Sequence, residues 1–389
     1  MVHLQTSSED GPLVPLPHLS RQHMPTDFEI SVDGCGGVDR ILYGPRRARR
    51  QELPGFEATY EDIVDYILRI TYRIWEDKHV DYITATYHPD ARVTGGGGLQ
   101  PSRQAIIDET EAHLRAFPDL RLLPEDVVWA GDASVGYRTS HRLWETGHHT
   151  GAADFGPVTG RLGSARAIAN CVVVENYIVE EWVLDNTTEL LASMGLDHVA
   201  LARRWAEESD LAALATLHSE IEKAAVHAHS EPVAPDGPGD PAASGGQADP
   251  ERYLRHALDR LWNHGELDVV DTMYADNAPL HGATGREFRG RRQIAAETQA
   301  WRQMFPDLVR MTDEVYWQGN PHDGFLVSLR WSTVGTHDGE GPYGPPTGRR
   351  VSAWGISQYA IKWGRVLEEW TLFNELEVLQ QIHRSAPLS

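Results

Sequence analysis

Apolar residues recur every three or four positions in two widely separated stretches of the chain. Ile63, Ile67, Ile70 and Ile74 form one stripe; Leu254, Leu258, Leu261 and Trp262 form another. That spacing predicts amphipathic helices over 60–76 and 250–263. Shorter helices are predicted over 103–116, 267–274 and 291–304. The pattern then changes to β-rich runs at 127–130, 134–146, 164–174 and 177–184, each with a counterpart further on. Tight turns at Glu175-Asn176 and Trp363-Gly364 join the last two runs of each set. Helices that precede a mostly antiparallel sheet predict an α+β fold, a curved sheet wrapped over helices as a cone with an internal pocket.

The counterparts are not accidental. At an offset of 188, Phe117-Pro118-Asp119-Leu120 falls on Phe305-Pro306-Asp307-Leu308, and FGPVTGR (155–161) falls on YGPPTGR (343–349). Glu180-Glu181-Trp182 falls on Glu368-Glu369-Trp370. From Phe117 to Leu190 the register holds without a gap, and 27 of its 74 positions are identical. Upstream the offset is 187, pairing Trp75 with Trp262 and Tyr87 with Tyr274, so a single-residue indel separates the two blocks. The chain is a tandem duplication, and each copy is long enough to own a core.

Composition draws the boundaries. Residues 1–55 are rich in Pro and Gly and predict a loose N-terminal arm; 56–195 form the first domain. Residues 196–227 contain strong helix formers and predict a connecting helix, with an interruption near Ser209-Asp210. The Pro- and Gly-rich stretch 228–248 is a flexible linker, and 249–389 form the second domain. A formal charge of −22 over 389 residues argues against nucleic acid or an anionic membrane as partner. The one basic run, PRRARRQ (45–51), reads as a solvated arm or as a dock for something acidic. Two cysteines, Cys35 and Cys171, give no disulfide framework, and no His or carboxylate spacing suggests a metal. No apolar run approaches the ~20 residues needed to span a bilayer, and no signal-peptide pattern opens the chain, so a cytoplasmic location is expected.

The ordered series FPDL, a WxG, GTHDG (335–339), YGPPTGRRV (343–351) and LEEWTLFN (367–374) resembles the SnoaL-like polyketide cyclase family. That family belongs with nuclear transport factor 2 and the ketosteroid isomerases, and the resemblance covers both copies. It implies the α+β cone and an intramolecular aldol closure on a polyketide methyl ester without metal or cofactor, a role in secondary metabolism. It also implies a carboxylate at the position held here by Val183 and Thr371, and a histidine at the position held by Ala169 and Ser357. Both groups are absent from both copies, and none of these side chains is an effective base near neutral pH.

Strand alternation offers a substitute. If Val183 faces the cavity, so do Glu181 and Asp185; in the second copy Glu369 and Phe373 hold those positions. Glu181, Glu369 and Asp185 are therefore the candidate acid–base residues, with burial expected to raise their pKa. His141, His149, His281, His337, Tyr359 and Trp354 are candidate contacts for a small apolar ligand. The GPxTG loop reads as turn chemistry, since Gly permits positive φ and Pro fixes it. Relatives with one such domain pair through their sheets, so the two copies are expected to pack as an intrachain pseudo-dimer in a monomeric protein, linkage supplying roughly millimolar effective concentration. Two functions fit. One is a cofactor-independent enzyme of cyclase, isomerase or dehydratase type acting on an apolar carbonyl compound. The other is a non-catalytic ligand-binding or scaffold protein of the same fold.

Overall fold

A computed structural model of the chain describes residues 4–5, 14–100, 102–208, 212–228 and 249–384. It divides into two compact units, residues 1–185 with 189–196 and residues 186–188 with 197–389. The first unit opens with a two-residue pairing of β1 (Leu4–Gln5) and β2 (Val14–Pro15) and the short helix α1 (Val38–Tyr43). Then come α2 (Ile63–Trp75), α3 (Ile83–Thr86), β3 (Tyr87–Gly95), β4 (Gly98–Gln100) and α4 (Arg103–Ala116). Four long strands follow: β5 (Arg121–Asp132), β6 (Gly136–His148), β7 (Leu162–Val174) and β8 (Tyr177–Asp185). The sheet order is β4-β3-β8-β7-β6-β5, antiparallel except where β3 runs parallel to β8. Asp62 caps α2 by accepting the Asp65 amide at 2.8 Å, and the Ile63–Ile74 stripe packs with Val127, Cys171 and Ile178.

The second unit repeats this plan. After α5 (Thr187–Ser193), α6 (His198–Glu208) and α7 (Ala212–Ala228) come α8 (Pro250–Trp262), α9 (Val269–Met273), β9 (Pro279–His281) and β10 (Glu287–Arg289). Helix α10 (Gly290–Met304), strands β11 (Val309–Asn320), β12 (Gly324–Thr336), β13 (Arg350–Lys362) and β14 (Arg365–Phe373), and helix α11 (Glu375–His383) complete it. Its sheet order, β10-β9-β14-β13-β12-β11, matches the first, again with one parallel pair, β9 beside β14. The fold is α+β in two domains. The connecting segment is two helices, and residues 209–211 between them lie outside the described residues. Helix α7 buries Leu214, Leu217 and Ile221 and packs on β11, β12 and β13. The expected flexible linker, 228–248, falls outside the described residues beyond Ala228.

The stretch expected as a loose arm is built into the first unit from Leu16 onward. Val32, Cys35, Ile41, Leu53 and Phe56 join the same core as α2. The basic run stays exposed over 45–49, as a solvated segment would, but it is held by acids and carbonyls of its own chain rather than loose. Arg46 Nη1 donates to Asp65 Oδ2 at 3.1 Å and Arg50 Nη2 pairs with Asp62, while Arg49 donates to the carbonyls of Leu53 (2.8 Å) and Glu57 (2.6 Å). The physical reason is charge: Glu61, Asp62 and Asp65 cluster at the start of α2, and a nearby cationic strap neutralises them. Tyr137 Oη donates to the Glu52 carbonyl at 2.7 Å and Trp129 Nε1 to that of Ile30 at 2.7 Å, tying the strap to the sheet.

The repeated motifs also have a structural explanation. Asp119 and Asp307 of the FPDL motifs accept the backbone amides of His148 (2.7 Å) and Thr336 (2.5 Å), closing the β5–β6 and β11–β12 ends. In each GPxTG loop a buried histidine clasps the chain. His149 Nδ1 lies 3.2 Å from Thr159 Oγ1, and His337 Nδ1 lies 3.1 Å from Thr347 Oγ1. Gly156 and Gly344 adopt φ of 148° and 100°, which L side chains rarely take.

If the strap is core, truncating it costs what a core truncation costs. Leu53 is 1% exposed. Leu53→Ala is expected to lower the unfolding free energy by about 3 kcal/mol, read as a fall in the urea midpoint. A loose arm would leave the midpoint where it was.

Candidate active site

The sheet of the first unit curves around a cavity of about 170 Å³. Helices α2 and α4 roof it, contributing Ile67, Ile70 and Ile74 from one and Ile106, Glu109 and His113 from the other. The floor is the concave face of the sheet. Register sets its composition: Glu181 lies opposite Cys171 on one side and beside Val93 on the other, Val183 opposite Ala169, Asp185 opposite Ala167. Glu181, Val183 and Asp185 all line the cavity; Trp182 turns to the other face, where its Nε1 donates to Glu180 at 2.8 Å.

Two carboxyls in this cavity titrate near neutrality. Glu181 is pushed up to about 7, chiefly by burial, although the Tyr87 hydroxyl (2.9 Å) and the Cys171 thiol (3.6 Å) donate to it. Asp185 also stands at about 7. Burial is the main cause and Glu145 adds to it, while His113 opposes both. Asp185 keeps an exposed surface although it is surrounded by protein atoms, and it lines the cavity, so its carboxyl is accessible from that space. His113 Nε2 lies 3.2 Å from Glu145 Oε2. Burial alone would lower the imidazole's pKa, but the Glu145 carboxylate outweighs it and the net direction is up. His141 behaves oppositely: burial first, then Arg142, lower it to about 3, so it is a neutral imidazole. It is 2% exposed, lines the cavity, and its Nε2 has no hydrogen-bond partner. Glu145 Oε1 is likewise buried without a partner.

The second unit holds the same shell with different contents. Its cavity is about 70 Å³. Large side chains account for the loss: Tyr359 stands where the first unit has Cys171, Trp331 where it has Leu143, and Arg310 where it has Leu122. Most of the titratable set is also gone, since Phe373 replaces Asp185, Leu329 replaces His141, Trp301 replaces His113 and Thr333 replaces Glu145, while Glu297 keeps the place of Glu109. Glu369 remains and burial raises its pKa, but the Tyr274 and Thr371 hydroxyls both donate to it.

The remaining sequence candidates lie elsewhere. His149 and His337 hold their loops rather than line either cavity. His281 sits on the outer face of β9, stacked on Trp370 at 5.6 Å and paired with Glu287 and Glu368; parity with Trp370 turns it away from the cone. Trp354 has the opposite parity to Tyr359 and is buried on the far side of β13. Tyr359 is buried beside Glu369 as filling. Sequence reasoning missed His113, Glu145, Glu109 and Tyr87. The first had a signal: Ile106, Glu109, Thr110 and His113 follow the i, i+3, i+4, i+7 spacing of one helix face. Among the described residues no three His, Cys, Asp or Glu side chains group as metal ligands, and no helix is long and apolar enough to cross a membrane.

Comparison with known families agrees with this architecture. The family model for SnoaL-like polyketide cyclase matches residues 66–194 and again 252–382. The chain therefore belongs to the SnoaL-like polyketide cyclase family, in two tandem copies. A comparison with curated proteins finds no match. Solved structures similar to it include a candidate SnoaL-like polyketide cyclase from Jannaschia sp. CCS1, 20% identical, covering 34% of this chain and 92% of that one with a TM-score of 0.30. IdmH from Streptomyces antibioticus, a candidate polyketide cyclase, is 25% identical, with coverage of 33% and 94% and a TM-score of 0.28. A Catenulispora acidiphila protein with a ketosteroid isomerase-like fold, in complex with trimethylamine, is 15% identical, with coverage of 35% and 94% and a TM-score of 0.29.

The raised carboxyl of Glu181 has a consequence for stability. Its folded value, about 7, lies above its ordinary 4.5, so the native state binds the proton more tightly. Stability from this group is complete below 4.5 and is lost as pH rises through 7. Glu181→Gln is therefore expected to gain on the wild type between pH 4.5 and pH 8, by on the order of 3 kcal/mol in urea unfolding. A difference independent of pH would refute the assignment.

Proposed function

We propose that the first unit is a cofactor-independent acid–base catalyst of cyclase or isomerase type, and that the second unit does not catalyse. The observation that carries this reading is Asp185: a carboxyl held at about 7, turned into a cavity with aliphatic walls, and replaced by Phe373 in the second copy. Near neutral pH such a carboxyl is part base and part acid, the condition under which proton transfer is most effective.

The substrate class follows from the walls. Ile67, Ile70, Ile74, Leu122, Leu143 and Val183 suit a small apolar carbonyl compound. Asp185 would take a proton from the carbon next to the carbonyl, the electron pair passing to the carbonyl oxygen. The neutral His141 imidazole can donate a hydrogen bond to that developing oxyanion through Nε2 in the tautomer that protonates it. The His113–Glu145 pair places a second acid–base couple in the cavity and sets the field at Asp185. Return of that proton from Asp185 to another carbon of the enolate completes an isomerisation; attack of the enolate carbon on a second carbonyl within the same molecule, with the Asp185 proton passing to the alkoxide that forms, completes an aldol ring closure. Glu181, already holding two donors, positions the floor and keeps a second titrating carboxyl two residues from Asp185.

The test is exchange of α-hydrogen for deuterium in a panel of cyclic ketones and β-keto esters, followed by NMR. The wild-type rate is expected to rise with pH through about 7 as Asp185 ionises. Asp185→Asn is expected to slow exchange about a hundredfold or more. Glu369→Gln, in the second unit, is expected to leave the rate unchanged. Full activity in Asp185→Asn, or loss in Glu369→Gln, would move the chemistry away from the first cavity.

A further inference from the structure

The hairpin at the edge of the first sheet is built unlike its counterpart in the second. Strand β3 runs beside β8 with Thr94 next to Trp182, and a Cβ added to Gly95 would sit 3.7 Å from Val183 Cγ1. The chain then turns back into β4, so the turn falls toward the end of β8 that carries Asp185. Gly95, Gly96 and Gln100 border the first cavity, while Gly96, Gly97 and Leu99 are exposed, which makes the hairpin part of the cavity's rim. The turn is the run Gly95-Gly96-Gly97-Gly98. Of these four only Gly98 takes a positive φ, 98°, that calls for glycine. A Cβ on Gly97 would meet nothing within 4 Å, and one on Gly95 would make ordinary contact. Neither packing nor backbone conformation requires glycine at 95 or 97, so what it adds there is freedom to rearrange. Gln100 is the one polar side chain between 95 and 100, and its Nε2 donates to Glu109 Oε2 on α4.

The second copy pins the same element. Thr94 pairs with Leu99, whereas its counterpart His281 pairs with Glu287, so the single-residue indel between the copies falls in this turn. The second turn, Gly282-Ala283-Thr284-Gly285-Arg286, keeps two glycines and adds side chains that bond. Thr284 N donates to Asn186 Oδ1 at 3.0 Å, Thr284 Oγ1 donates to Glu375, and Arg286 Nη1 donates to Glu375 Oε1 at 2.7 Å, all within the second unit. His281 pairs with Glu287 across the two strands. The glycine-built turn thus borders the larger cavity, where Asp185 is accessible, and the braced turn belongs to the copy whose cavity is filled.

We propose that the β3–β4 hairpin is a lid on the first cavity, with the Gln100–Glu109 hydrogen bond as its latch. Closed, it walls the Asp185 end of the cone. With the latch released, the glycine run lets β4 swing outward and admit a ligand. A lid of this kind lets substrate in and then keeps water from the reacting groups. One hydrogen bond between half-exposed side chains suits the task, because it biases the hairpin toward closure and still breaks readily. Entry to the cavity is a separate matter from the reaction inside it, so the exchange experiment on Asp185 and a test of the lid fail independently.

Cys171 reports on the lid, because it lines the cavity floor and is only 5% exposed. The full chain is treated with methyl methanethiolsulfonate, and labelling at each cysteine is followed by peptide mass spectrometry. Cys35, buried in the α2 core outside the cavity, is the internal control for general unfolding. Gln100→Leu removes the latch and is expected to speed Cys171 labelling about fivefold. The double variant Gly95→Ala with Gly97→Ala stiffens the turn without a clash and is expected to slow it about threefold. Labelling of Cys35 is expected to keep its wild-type rate in both. In hydrogen exchange of the wild type, the amides of 95–99 are expected to exchange at least about tenfold faster than those of 282–286. Equal Cys171 rates in all three proteins, a parallel change at Cys35, or equal exchange in the two hairpins would each overturn the lid.

Discussion

The withdrawal of carboxyl groups from water inside an aliphatic cone is the constraint on which the first unit's chemistry depends. Desolvation is the leading cause for both Glu181 and Asp185. The sheet and α2 must therefore be held together closely enough to exclude bulk solvent, or both groups revert to ordinary acids. The strap serves the same end. Leu53, Phe56 and Tyr60 extend the α2 core, and the arginines of 46–50 neutralise the acids that cap the helix. Stability far from the cavity and acidity within it are one problem seen from two places.

Duplication lets the two copies divide. Sheet order, the parallel pair and the clasped loops are the same in both units. Among the differences, those that bear on the cavities are exchanges of inward-facing side chains. Exchanges of Cys171 for Tyr359 and Leu143 for Trp331 shrink the second cavity, and exchange of Asp185 for Phe373 removes its accessible acid. A shell fixed by backbone bonds and loop clasps tolerates such drift, because none of the exchanged residues carries the sheet register.

Much of this was legible in the chain. Helix α4 occupies the range its pattern predicts, and the repeat followed directly from matched motifs. Parity along β8 located Glu181 and Asp185 because a strand has only two faces. Strands β3 and β4 escaped notice: β3 contains Pro89 and a register shift between Tyr87 and Arg92, and β4 is three residues long. Strand β5 was underestimated for the same reason, with Pro124 and an irregularity before Asp126 breaking its alternation. The strap was misread because Pro and Gly content says nothing about arginines that reach carbonyls and carboxylates up to 21 positions away. His113 and Glu145 meet across a helix and a strand, a pairing no local period encodes. His281 was misplaced because β9 is only three residues long and offers no alternation from which to read its facing.

The strap also bears on how this architecture can be dissected. The segment matched to the family begins at Tyr66, inside α2, and so omits the Asp62 cap, Leu53, Phe56 and the whole cationic strap. An excised fragment cut at that border would carry a frayed helix and a bare apolar patch where those side chains belong. In this chain the buried packing of the first unit reaches back some fifty residues before the matched segment, to Leu16.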